Sequence, residues 1–238
     1  MGMFTVIPQD TFNDLQLDAG VLLKNFDPTN PATPADSDII TATTGGITAT
    51  CTPSYSDFGE DVDNCPNNTK ELKHLDGWDC SLSTTALGTS PELIRLALGA
   101  ADVSGEAYAL TSDVAVVEGK TYYTRTGSGT AQSPYVYTKV AEPSTSSIGS
   151  YYEMTTPDYK ITPRRDLDQG DFEDAIWWVG DKADGGLVAV KLMNALGTEG
   201  FSLQTSKNGK GQFSLTLTGH VSINAQSVVP MEFYSVAG

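Results

Sequence analysis

The stretch from 211 to 223 constrains the fold most. Phe213, Leu215, Leu217, Val221 and Ile223 alternate with Ser214, Thr216, Thr218, His220 and Ser222. A period of two puts the first set on one face of a strand and the second set on the other, which a helix cannot do. Residues 200–205 read as its partner strand. Between them Lys207-Asn208-Gly209-Lys210 carries the Asn-Gly pair that suits a tight hairpin turn. A short last strand follows over 231–235.

The same alternation appears twice upstream. Ile47, Ala49 and Cys51 face one way over 46–52, with Thr48, Thr50 and Thr52 facing the other. Over 78–85 Trp78, Cys80 and Leu82 oppose Asp79, Ser81 and Ser83. If these two strands pair, Cys51 and Cys80 both face the core. Contiguous apolar runs at Val21-Leu22-Leu23 (within 19–26), 175–180 and 187–192 read as buried strands, with Asp184-Gly185-Gly186 as a turn. One helix is expected over 90–99. Ser90 caps it, Pro91 fits the first turn and Glu92 suits the positive end of the dipole. Leu93, Ile94, Leu96 and Ala97 form its apolar face, and Gly99 stops it. Residues 27–38, 53–77 and 156–173 read as loops. The expected fold is mainly β, a sandwich or barrel with one flanking helix.

The stretch 112–155 has a different texture, rich in Tyr, Thr, Ser and Gly. Tyr122-Tyr123, Tyr135-Val136-Tyr137 and Tyr151-Tyr152 mark three short strands. We read 111–155 as a small β module inserted into a domain built from 1–110 and 156–238. Its tyrosines could stack on sugars or on a protein partner. They could equally fill a small core, and packing grounds favour that reading.

The net charge is −16, with 14 Lys and Arg against 30 Asp and Glu. This argues against a DNA-clamping surface, which needs cations to neutralise phosphates. Two readings of the charge stay open: plain solubility, or a surface that must not adhere to DNA. The three cysteines, Cys51, Cys65 and Cys80, have no paired spacing, and His74 and His220 lie far apart in sequence. Neither a zinc site nor a disulfide framework is expected, and reduced thiols are. Within 53–77, Asp57, Glu60, Asp61 and Asp63 precede Lys70, Lys73 and Asp76. They supply only a fragment of a calcium loop, so a solvated or interface loop is expected. Arg164-Arg165 beside Asp166 and Asp168 reads as a salt-bridged surface. No nucleophile motif, phosphate-binding loop or dinucleotide fingerprint occurs, and the acids cluster in loops rather than in an aromatic cleft. No enzymatic activity and no cofactor are expected. The start, Met1-Gly2-Met3-Phe4-Thr5-Val6-Ile7-Pro8, lacks a basic n-region and a long apolar run, so no signal peptide is expected. No stretch is long enough for a membrane span.

Several pieces, taken in order, carry a resemblance. They are Leu17-Asp18-Ala19-Gly20-Val21, Thr43-Thr44-Gly45-Gly46 before a strand, the strand 77–85, and Ser90-Pro91-Glu92-Leu93 leading to Leu98-Gly99-Ala100-Ala101-Asp102. The strand 185–192 and Phe201-Ser202-Leu203-Gln204-Thr205 complete the series. Over 1–110 and 156–238 the chain resembles the major tail tube proteins of long-tailed, non-contractile bacteriophages. The resemblance implies hexameric rings in which each subunit gives strands to one inner barrel. Stacked rings would form a hollow tube with an acidic bore through which DNA passes without specific binding. It implies further copies of the chain as partners, together with tape measure, tail terminator and distal tail proteins. It also implies a place in the virion after synthesis in the host cytoplasm; a phage-like bacterial particle would share these mechanics.

By the same resemblance, Asp57, Glu60, Asp61, Asp63, Lys70 and Lys73 are candidates for ring-stacking contacts, as are Phe12, Leu15 and Leu17 of the N-terminal arm. The stretch 112–155 resembles the variable decorations of such tubes, which makes Tyr122, Tyr123, Tyr135, Tyr137, Tyr151 and Tyr152 a candidate exterior binding surface. The rival reading is a secreted β-sandwich adhesin or carbohydrate-binding module. It predicts a monomer whose affinity lies in the insertion.

Overall fold

The structure is a computed structural model that describes residues 9–12, 15–60, 62–105, 108–128, 135–154, 159–207 and 209–237. The chain is mainly β, and it divides into two compact units. The first comprises Met1–Asp102 and Pro163–Gly238, and the second is Val103–Thr162. The second unit is therefore wider than the 111–155 read from composition.

In the first unit β1 (Val21–Leu23), β2 (Ile39–Thr41), β3 (Thr43–Asp57) and β4 (Lys73–Ala86) precede the helix α1 (Pro91–Leu98). Strand β5 (Ala101–Ser104) leads out of this unit. Strands β6 (Tyr108–Leu110), β7 (Tyr123–Thr126), β8 (Val136–Lys139) and β9 (Tyr152–Met154) form the second unit's sheet, and β10 (Lys160–Pro163) leads back. The chain then closes the first unit with β11 (Glu173–Asp181), β12 (Leu187–Gly197), β13 (Leu203–Gln204), β14 (Gln212–Gly219) and β15 (Met231–Val236). Strand β10 lies inside the 156–173 stretch read as loop. It pairs with β5, a partner about sixty residues away that local sequence does not reveal.

The main sheet runs β2-β1-β11-β12-β14-β4-β3, with β13 on β14 and β15 on β12. Strand β12 is the hinge of this order. Leu187–Leu192 pair with β15 on one side and with β11 on the other, while Ala195–Gly197 pair with β14. Leu22 and Ile176 from one end of the order meet Leu82, Phe213, Leu215 and Leu217 from the other end in a single buried cluster. The sheet therefore closes on itself in a sandwich-like way, and α1 adds Leu93, Leu96 and Ala97 to the same core. The helix sits very close to β12: a Cβ on Gly197 would lie 2.1 Å from the Leu96 carbonyl oxygen, so only glycine fits there. Its ends are as the sequence leads one to expect. Ser90 Oγ accepts from Leu93 N at 3.3 Å, and Gly99 closes it at φ 72°.

Two expectations for this unit change. The 53–77 loop is strand at both ends, since β3 continues to Asp57 and β4 starts at Lys73, leaving 58–72 as the loop. Pro53 does not break β3 because β3 ends the strand order, where a missing N–H goes unneeded on the open side. Second, β14 stops at Gly219, where a Cβ would meet Leu192 Cδ1 at 2.7 Å. Val221 and Ile223 thus leave the core face and are 52% and 81% exposed.

In the second unit the sheet order is β6-β9-β7-β8. Tyr122, Ile148 and Tyr151 form its buried core, with Val116 and Val140 against them. The Tyr122 hydroxyl donates to Asp113 Oδ2 at 2.7 Å and accepts from Val117 N at 3.0 Å, so the buried ring keeps its polar atom satisfied.

Candidate assembly surface

The β3–β4 hairpin is fifteen residues by fourteen, and only its first half packs on the core. Near the core Leu82 faces Ala49 and Cys80 faces Cys51. Beyond them Trp78 faces Pro53, and after a bulge that leaves Asp76 unmatched, Leu75 faces Tyr55. The first bulge, between Thr44 and Ile47, takes up Gly45 and Gly46 at φ 78° and 80°. Those left-handed angles explain the glycine pair.

The tip at 58–72 is held by its own polar groups. Asp57 Oδ1 accepts from Gly59 N at 2.9 Å and Oδ2 accepts from Asn68 N at 3.0 Å. Lys73 Nζ donates to Asn68 Oδ1 at 3.1 Å and lies 5.6 Å from the centre of the Tyr55 ring. Asn64 and Asn68 take left-handed backbone angles, which asparagine tolerates. Asp57 and Lys73 therefore organise the tip from within the strands. Glu60, Asp63 and Lys70 are exposed, and Asp61 lies outside the described residues. Alongside these charges the tip exposes apolar side chains: Phe58 is 65% exposed, and Val62 and Tyr55 are exposed too.

The protruding hairpin and the segment after β14 line a groove of about 500 Å³. Leu75, Gly77 and Trp78 form one wall, and Val221, Val228 and Pro230 the other. Leu75, Trp78, Val221 and Val228 are all exposed large apolar residues. Four such side chains on one groove make an apolar patch of the kind that marks a protein interface. Sequence reading missed this surface because it assigned Val221 and Ile223 to a buried strand face. Gly219 was the available signal, as a glycine that interrupts the alternation.

The N-terminal arm also lies where a partner could reach it. Leu17 N donates to Asp181 O at 2.8 Å, Ala183 N donates to Leu15 O at 2.9 Å, and Gln16 bridges Lys182. Residues 15–17 thus lengthen the sheet beside the end of β11. Phe12, Leu15 and Leu17 are exposed, as is Val21. The turn after the arm depends on Gly20, at φ 68°, where a Cβ would come within 2.4 Å of Trp178 Nε1. Trp178 Nε1 in turn donates to Ala19 O at 3.0 Å and fixes the arm's exit.

Among the described residues β3 has β4 as its one strand neighbour, and β2 has β1. Among the described residues both ends of the sheet therefore leave backbone groups for a further strand.

The six tyrosines do not form one surface. Tyr122 is 0% exposed and Tyr151 is buried, so neither can meet a ligand from outside; both are the small core of the second unit. Tyr123, Tyr137 and Tyr152 are half-buried: Tyr123 and Tyr137 pack against Tyr108, whose ring stacks on Tyr137 at 4.1 Å, and Tyr152 packs against Tyr137. Tyr135 is exposed and covers the Arg125 guanidinium at 4.2 Å, with Tyr152 on the same group at 4.7 Å. Arg164 is salt-bridged as its surroundings suggest, to Asp102, Asp168 and Asp171.

Among the described residues no three His, Cys, Asp or Glu side chains converge as a metal site requires, and no helix is long and apolar enough to cross a membrane. No protein-family model matches the chain, and no curated protein matches it.

Proposed function

We propose that this chain is a structural subunit that polymerises as stacked rings into the hollow tail tube of a long-tailed phage or a phage-like particle. The observation that carries this reading is the protruding β3–β4 hairpin, whose outer half leaves the core and exposes Tyr55, Phe58, Leu75 and Trp78. A monomer gains nothing from holding these side chains in water, whereas a neighbouring subunit would bury them. The edges that β2 and β3 leave open among the described residues support the same reading, because a ring of subunits that continues the sheet removes them. Ring symmetry, an acidic bore that DNA slides through, and the tape measure, terminator and distal tail partners come from the sequence resemblance. The charge of −16 is compatible with such a bore.

Sedimentation across a concentration series tests the reading. Wild-type protein should gain mass with concentration, and Leu75→Asp combined with Val221→Asp should stay monomeric with an unchanged far-ultraviolet spectrum. A wild-type chain that associates no more than the double variant would remove the basis for the proposal.

A further inference from the structure

Cys51 and Cys80 are directly opposed in the antiparallel β3–β4 pair, and their sulfurs lie 3.2 Å apart. Directly opposed residues in antiparallel strands have Cα atoms about 4.5–5.5 Å apart, inside the roughly 4.4–6.8 Å that a disulfide spans. Both side chains project to the same face, and both are free thiols. Cys80 is buried and Cys51 half-buried, so Cys51 is the more accessible residue of the two. Cys65 stands apart in the hairpin tip, with its sulfur 3.4 Å from Thr69 Oγ1 and 3.7 Å from the Pro66 carbonyl oxygen. Three thiols in this chain thus resolve into one preassembled pair and one bystander, an arrangement the odd count alone concealed.

We propose that Cys51 and Cys80 are a modification site, a dithiol that closes to a cross-strand disulfide when the protein meets a small-molecule disulfide oxidant. The Cys51 thiolate attacks one sulfur of the oxidant and releases its other half as a thiol, leaving a mixed disulfide on Cys51. The Cys80 thiolate then attacks Cys51 Sγ and releases the second half. Two electrons pass from the pair to the oxidant, and the two protons end on the two small thiols. Burial, and then the contact with Cys51, push the Cys80 thiol up to about 12, so the closing step quickens as pH rises. Neither sulfur has to contact another subunit for this chemistry.

The position of the link gives it a consequence. It lies between the Ala49–Leu82 pair, which belongs to the core-packed half, and the Pro53–Trp78 pair, where the hairpin begins to protrude. A covalent bond there fixes the register of the outer half. A slip of one residue would turn its side chains to the opposite faces, and the link forbids that slip. Oxidation after release from a reducing cell would thus lock the hairpin without changing its pairing.

The native full chain, incubated with glutathione disulfide at about pH 8.5, where an ordinary thiol is half ionised, provides the test. Intact mass should fall by two hydrogens, one titratable thiol should remain, and digestion should link the peptides of Cys51 and Cys80 with Cys65 free. Cys65→Ser should close as the wild type does, and Cys51→Ser should form no link. Amide exchange near Cys51 and Cys80 should slow in the oxidised wild type. Retention of all three thiols would overturn the proposal. So would a lasting glutathione adduct on Cys51, or a link that includes Cys65.

Discussion

Tyr55 and Leu75 stand opposite each other across the β3–β4 hairpin, one step beyond the bulge at Asp76, and both are exposed. Toward the core, Leu82 and Cys80 of β4 are almost fully buried. One pair of strands therefore serves two environments. Its inner half supplies the core and its outer half exposes apolar side chains, so mutations in the two halves separate the fold from the proposed assembly.

Replacing 58–72 by a two-residue Asn-Gly turn should leave the fold intact. The tip makes its polar contacts with itself and with Asp57 and Lys73, and Asn-Gly closes an antiparallel pair well. Circular dichroism should be unchanged while self-association is lost. Unimpaired association of this variant would show that the tip is not a contact.

Leu75→Asp should change stability little, by about 0.5 kcal/mol or less, because the side chain is already exposed. Its effect should appear in association, where a buried unpaired carboxylate is costly. Urea denaturation and sedimentation on the same sample separate the two. A large stability loss with normal association would reverse this assignment.

Leu82→Ala should behave in the opposite way. Leu82 is buried where β4 meets the central cluster, so truncation should cost about 2–5 kcal/mol through lost burial and the cavity left behind. The midpoint of urea unfolding reads this directly. A shift no larger than that of Leu75→Asp would mean the core is not where we place it.

The second unit should lose protection in acid. Hydrogen bonds from Lys120, and then from Tyr122, hold the Asp113 carboxyl below its ordinary value of 3.8. A carboxyl depressed on folding contributes stability above its unfolded pKa, and that contribution fades as pH falls from about 4 through the lower folded value. Amide exchange over 113–122 should accelerate in that window, and Asp113→Asn should flatten the dependence. Equal acid sensitivity in the variant would assign the effect elsewhere.

Some of this molecule is legible from residue order alone. Alternation over 46–52 and 78–85 leads to paired strands that bring Cys51 and Cys80 together, and Ser90 and Gly99 bracket the helix. These signals are local, and local chemistry decides them. The extension of β3 and β4 into 53–77 was not legible, because Pro53 and the surrounding polar residues look like loop until β3 is known to be an edge. The fate of Val221 and Ile223 was hidden for a related reason. The alternation persists past Gly219, whereas β14 stops at that glycine, which lies close against Leu192. The paired tyrosines split between core and sheet, since Tyr122 and Tyr151 turn inward just before β7 and β9 begin, while Tyr123 and Tyr152 are the first residues of those strands. The exposed groove arises from two segments more than a hundred residues apart, which no local pattern joins.

Negative-stain electron microscopy of the purified chain over a concentration series, beside the variant lacking 58–72, tests the central claim most directly. The account predicts rings or hollow tubes with a regular axial repeat for the wild type and none for the variant. Single particles of subunit size for the wild type at every concentration would contradict it.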